Sequence, residues 1–149
     1  MKIVKILVLP LLVTIVYSCS TLKLAPADFG WPVETVLKVD QKGFIADERY
    51  AVSFNTKAMF FEEFIDSVNV EGKVIRLIRD VEGFYFLTGN EFKNVYVFYP
   101  EEGKLILQNK ILITESGLQS PYFNQRKPYV ELTDGTVKYS LNKEGIVGK

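Results

Sequence analysis

At 149 residues, with 18 basic and 18 acidic side chains, the chain has the length of one domain and carries no charge excess that would attract nucleic acid. It contains no histidine and a single cysteine, which excludes Ser-His-Asp and Cys-His catalysis, His-based zinc sites and any disulfide within the chain. Aromatics are dense, with eleven Phe, eight Tyr and one Trp.

The chain opens with a short basic head, Lys2 and Lys5, followed by an apolar run from Ile6 to Val16 interrupted only by Pro10 and Thr14. Small residues follow at Ser18, Cys19 and Ser20. This order is that of a secretory signal peptide, and the run falls short of the ~20 residues that a membrane-spanning helix needs. A buried N-terminal helix or strand is the competing reading, but Ile6–Val16 has no polar face and would need cover on every side.

The tetrad Val16-Tyr17-Ser18-Cys19 resembles the lipobox of bacterial lipoproteins. Ser18 keeps the small residue of that pattern, while Val16 and Tyr17 depart from its usual Leu and Ala or Ser. The resemblance covers only the first twenty residues. It implies that residues 1–18 are removed, that Cys19 is the lipid attachment site, and that the protein sits in the bacterial cell envelope. Ser20, which is not Asp, implies the outer membrane. With several acyl chains on Cys19, each buried methylene contributing ~0.8 kcal/mol, the anchor would be lasting. Of the other readings of Cys19, a catalytic thiol lacks a histidine base, and a buried apolar residue would leave an odd thiol in a secreted protein.

With Lys2 and Lys5 set aside, 16 basic side chains face 18 acidic ones. Residues 19–33 hold Pro26, Gly30 and Pro32 without a sustained period and read as a tether, with Phe29 and Trp31 as its docking point. From residue 34 to 149 the pattern is that of a single β domain. "TVLKVD" sets Leu37 and Val39 against Lys38 and Asp40, and "RYAVSFN" sets Tyr50, Val52 and Phe54 against Ala51, Ser53 and Asn55. Such alternation marks half-buried strands. Gly43, Gly72, Gly83, Gly103, Gly135 and Gly145 each follow a charged residue and mark turns between them.

"NTKAMFFEEFIDSV", Asn55–Val68, departs from this period. Ala58, Phe61, Phe64, Ile65 and Val68 recur at helical spacing opposite Glu62, Glu63 and Asp66, with Asn55 or Thr56 as cap, which predicts one short helix. "FYFLTG", "NVYVFYP" and "KLILQNKILIT" are apolar on both faces, so these strands require cover on both sides. A helix or the N-terminal segment over one face would supply it. A cavity for an apolar ligand or a face docking another protein would also account for the pattern.

The stretch Glu115–Val130, "ESGLQSPYFNQRKPYV", reads as a long irregular loop, because Pro121 and Pro128 cannot serve a central strand. Its Tyr122, Phe123, Arg126 and Tyr129 make the composition of a contact surface, and are the candidate binding residues. Equally, these aromatics could plug the core. No phosphate loop, nucleophile elbow or calcium loop occurs. The remaining chemistry is that of carboxylates, and the adjacent pairs Asp47-Glu48, Glu62-Glu63 and Glu101-Glu102 are candidates by residue type alone.

The expectation is therefore an all-β, hairpin-rich antiparallel sandwich or small barrel with one short helix, behind a cleaved signal peptide. Functionally it reads as a non-catalytic envelope lipoprotein that binds a protein partner, with no metal, cofactor or nucleic acid. The alternative is a carrier of a lipid or other apolar ligand in an aromatic-lined cavity, and after it a carboxylate-dependent hydrolase.

Overall fold

A computed structural model describes residues 33–148 apart from 50, 67, 68 and 103. The signal, Cys19 and nearly all of the tether lie outside the described residues, as do Tyr50, Val68 and Gly103.

The chain forms β1 (Thr35–Lys38), β2 (Phe44–Asp47), β3 (Val52–Asn55), helix α1 (Lys57–Phe64), β4 (Val74–Arg79), β5 (Tyr85–Gly89) and β6 (Asn94–Glu101). It continues through β7 (Lys104–Leu112), β8 (Pro121–Arg126), β9 (Tyr129–Asp134), β10 (Val137–Asn142) and β11 (Gly145–Val147). Every pairing is antiparallel. A five-stranded sheet has the order β1-β4-β5-β6-β7, a four-stranded sheet the order β11-β10-β9-β8, and β2 and β3 pair alone.

The five-stranded sheet is the middle layer, and the alternation of its residues makes it so. Ile75, Leu77, Tyr85, Leu87 and Tyr96 face one cluster together with Ile45, Met59 and Phe60, so the β2–β3 hairpin and α1 cover that side. Ile78, Phe86, Val95 and Val97 face the other with Phe123, Val130, Leu132 and Leu141, so the four-stranded sheet covers the second side. Strand β5 is accordingly buried at all five positions. The all-β sandwich is the architecture, and the two-sided apolar pattern of "FYFLTG" has its explanation in cover by the helix and hairpin on one side and a sheet on the other.

One turn is used twice. Asp40 and Asp80 each accept two backbone N–H groups through Oδ1, from Lys42 and Phe44 at 2.8 and 2.7 Å and from Glu82 and Phe84 at 2.9 and 2.8 Å. In each turn a glycine, Gly43 at φ +88° or Gly83 at φ +97°, takes the left-handed conformation that a side chain would resist. The sequences "VDQKGF" and "RDVEGF" thus encode the same β-turn-β corner.

Three expectations are corrected. Glu115–Val130 is not an irregular loop: Pro121–Arg126 is strand β8, paired residue by residue with β9. Pro121 is tolerated because it is the first residue of a strand at the sheet edge, and Pro128 sits in the tight turn to β9. Helix α1 buries Met59 and Phe60, whereas Phe61 is 56% and Ile65 83% exposed. Phe60 and Phe64 stack at 6.0 Å and both meet Phe92 edge-on, so the aromatic trio chooses the buried face. Finally, β7 is an edge strand with only Ile111 buried, rather than one covered on both sides.

Candidate interaction surfaces

Strand pairing sorts the four candidate binding residues. On β8, Tyr122 and Arg126 point to the outer face of the four-stranded sheet, while Phe123 is 3% exposed in the second cluster. Tyr129 is the cross-strand partner of Arg126 and shares its outer face. The structure therefore gathers Tyr122, Arg126 and Tyr129 on one solvent-facing surface and assigns Phe123 to the core. Residue parity divides the stretch: Phe123 plugs the core, and Tyr122, Arg126 and Tyr129 are left on the outer face.

Glu131 lies at the centre of this face, paired with Asn124 on one side and Ser140 on the other. Its Oε1 is 3.3 Å from Lys138 Nζ and 3.6 Å from Arg126 Nε, and its side chain is only 14% exposed. Gln125 Nε2 donates to the Tyr129 carbonyl at 3.0 Å, fixing the end of the hairpin. Two rings, an arginine, a lysine and an acid thus stand on a rigid sheet rather than on a loop.

A second surface lies on the hairpins whose two-sided apolar pattern offered a docking face as one reading. The β6–β7 register shifts between Val97 and Phe98, and beyond it the hairpin leaves the cover of the four-stranded sheet. Tyr99 and Ile106 face each other there at 45% and 44% exposure, and Leu107 on the opposite side is 49% exposed. Tyr99 leans on Phe84 at 5.2 Å, and Lys143 Nζ, which pairs with Glu82 at 2.9 Å, stands 4.9 Å above the Phe84 ring. The sequence signal was present in "VFYPEEGKLIL", an apolar hairpin whose apex alone is charged.

Of the carboxylate pairs, Glu62 and Glu63 share a neighbour, the Tyr96 hydroxyl. Glu63 accepts hydrogen bonds from Lys93 N at 2.7 Å, Asn94 Nδ2 at 2.8 Å and Tyr96 Oη at 2.8 Å, pinning α1 to the start of β6. Burial, and then the Glu63 carboxylate, hold the Tyr96 hydroxyl well above the usual phenol range. Glu62 adds to that effect on Tyr96 and also pairs with Lys110. Asp47 is buried and accepts from Arg49 N at 2.9 Å, while Glu48, Glu101 and Glu102 are exposed. Among the described residues, no three acids or cysteines converge to hold a metal. Asp80, desolvated at its turn, has its carboxyl raised above the usual range despite its backbone donors.

A half-open hollow of about 250 Å³ lies between α1 and the following turns, lined by Phe60, Gly72, Lys73, Val74, Asn90 and Glu91. It is smaller than the ~300–1,000 Å³ of ligand pockets, and the Nζ of its lining residue Lys73 stands 4.5 Å above the Phe64 ring. Among the described residues no helix is long and apolar enough to cross a membrane.

Compared with known protein families, curated proteins and solved structures, the chain matches none.

Proposed function

We propose that this is a non-catalytic lipoprotein of the bacterial envelope, anchored through Cys19 and probing a protein partner with the outer face of its four-stranded sheet. The observation that carries the binding half is the convergence of Tyr122, Arg126 and Tyr129 on one rigid, solvent-facing surface. Tyr and Arg dominate binding energy at protein interfaces because each offers a large contact area with a fixed polar end. Phe123, buried directly behind them, holds β8 in place without taking part. The anchoring half rests on the lipobox-like tetrad and Ser20, which point to the outer membrane.

The carrier alternative draws no support from the interior, where Phe60, Phe86, Phe92 and Tyr96 are fully buried and pack into the two clusters. The hydrolase alternative draws none from paired acids engaged by Tyr96, Lys110 and backbone donors or turned to solvent.

The test is photocrosslinking in cells from a benzoyl-phenylalanine placed at Tyr122. A discrete adduct that disappears with Arg126→Ala and Tyr129→Ala, at unchanged protein level, is expected. No adduct from Tyr122 in a stably produced protein refutes the binding surface. Continued incorporation of labelled fatty acid in Cys19→Ser refutes the anchor separately.

A further inference from the structure

We propose that the apolar end of the β6–β7 hairpin is the docking site of this chain's own tether, Phe29–Pro32, with Trp31 as the anchor. The inference rests on where the described chain begins and what lies beside that point, and holds whether or not Cys19 carries lipid.

Continuing the β1–β4 register past Thr35↔Leu77 sets Val33 beside Arg79. Arg79 pairs with Tyr85, Tyr85 with Phe98 and Phe98 with Leu107, so Val33 lies in the row adjoining the Tyr99–Ile106 pair. Arg49 Nη1 donates to the Val33 carbonyl at 3.3 Å, holding the chain at this end. Three strand spacings of about 4.8 Å separate β1 from β6, roughly 14 Å. At about 3.4 Å per residue, Phe29 can stand some 14 Å from Val33 and Trp31 some 7 Å, before their side chains are counted. Val33 shares the face of Tyr85 and Phe98, so the tether rings reach Phe84 and Tyr99, on the other face, by passing around the end of the middle sheet at the Asp80–Gly83 turn.

The surface they meet is unfinished. Val33, Val81, Tyr99 and Ile106 are between 44% and 54% exposed and Phe84 is half-buried, all at one end of the sandwich. Trp and Phe each bury about 150–250 Å² when covered, which matches a patch of a few hundred Å². Charge gives a bilayer little hold there, because Glu101 and Glu102 at the hairpin apex offset the neighbouring Lys104 and Lys143. The docked tether would close the apolar end and fix the direction in which the anchor leaves the domain.

Trp31 is the sole tryptophan, so its fluorescence reports this contact alone. The protein to measure is the chain Ser20–Lys149, which retains every residue of the described fold. Expected is a blue-shifted emission poorly quenched by iodide, and in Tyr99→Ser/Ile106→Ser a shift to the emission and quenching of the urea-unfolded chain. Leu112→Ser, exposed at the far end of the same strand, should leave the signal unchanged. Trp31 emission that is already that of the unfolded chain overturns the proposal. So does a shielded Trp31 indifferent to the Tyr99→Ser/Ile106→Ser change. Shielding that develops only when phosphatidylethanolamine–phosphatidylglycerol vesicles are added would overturn it in favour of a lipid occupant.

Discussion

Replacing Glu63 with Ala removes one carboxylate and unsatisfies donors from three residues. Lys93 is exposed and Asn94 half-buried, so water replaces the lost acceptor for their groups at little expense. Tyr96 is 1% exposed, and its hydroxyl, 2.8 Å from Glu63, would be cut off from water and left with the Glu62 carboxylate, which Lys110 already engages. Leaving a buried donor unmatched costs about 1–3 kcal/mol, and hydrogen bonds to charged groups contribute ~1.5–3 kcal/mol. The helix adds to the effect: α1 has eight residues, no side-chain N-cap and no basic residue in its last turn. A helix so short is not stable alone and depends on its tertiary ties. The expected loss is about 2–3 kcal/mol. For a domain of this size that lowers Tm by ~10 °C, from about 3–6 °C per kcal/mol.

The assay is urea unfolding followed by circular dichroism on a double-mutant cycle of Glu63→Ala and Tyr96→Phe. Tyr96→Phe alone should cost ~1 kcal/mol, since Glu63 keeps two other partners. The double variant should be more stable than the summed single effects by ~1–2 kcal/mol, because neither orphan survives. Additivity within ~0.5 kcal/mol would refute the claim that this pair pins the helix. Glu63→Gln separates geometry from charge, since it retains an acceptor and should recover part of the loss.

Four further outcomes follow from the same geometry. Native Tyr96 keeps its proton where an unfolded phenol ionises, so the native state binds more protons above pH ~10 and stability should fall as pH rises past that value. Tyr96→Phe should remove that part of the alkaline loss in pH-dependent urea midpoints. Asp80, raised by desolvation, binds more protons when folded just above its ordinary value, so its contribution declines as pH rises through that window. Asp80→Asn, which can still accept from Glu82 and Phe84, should leave neutral-pH stability equal or higher in thermal melts and remove this acid-range dependence. Phe123→Ala should cost ~3–5 kcal/mol and Tyr122→Ala less than ~0.5 kcal/mol in chemical denaturation, as their opposite faces require. Gly117→Ala should cost at least ~1–3 kcal/mol by the same assay, because φ is +80° and a Cβ would stand 2.6 Å from the Glu91 carbonyl oxygen.

How far the fold could be read depended on the range of the signal. Period-two runs are local, and Leu37, Val39, Val52 and Phe54 all face the first cluster as their spacing predicts. The two-sided apolar run at Phe84–Gly89 correctly implied cover on both faces, because burial on each side is written into every successive residue. The face of α1 was not legible. With Phe at 60, 61 and 64, two helical stripes are equally apolar, and Phe92, outside the segment, decides between them. Pro121 misled because the penalty for proline in a strand depends on whether its neighbour on that side exists, a fact of sheet order rather than of local sequence. The same holds for β7, whose composition matches β6 while its place at the edge leaves it exposed. Of the candidate site, Tyr122, Arg126 and Tyr129 were identified by type, but only the pairing to β9 shows that they share a face and that Phe123 does not.

The acids that matter structurally were the least visible, and Glu34 shows why. Its Oε2 accepts from Arg76 Nη1 at 2.9 Å and its Oε1 from Phe123 N at 2.8 Å, partners 42 and 89 residues away. No local pattern marks such a residue. Physically it does two things with one carboxylate. It covers an outward-pointing N–H on the edge strand β8, where an unpaired donor would invite another strand. It also ties the four-stranded sheet to the middle one at β4, right where the chain enters the domain. If the anchor lies upstream, a pull on the tether reaches the fold at Val33 and Glu34 first, so the load meets a charge-assisted link spanning both sheets before it meets the four-residue strand β1. The outer face that carries Tyr122, Arg126 and Tyr129 is built on the strand this link holds, so the part of the molecule proposed to meet a partner stays in register with the part proposed to meet the membrane.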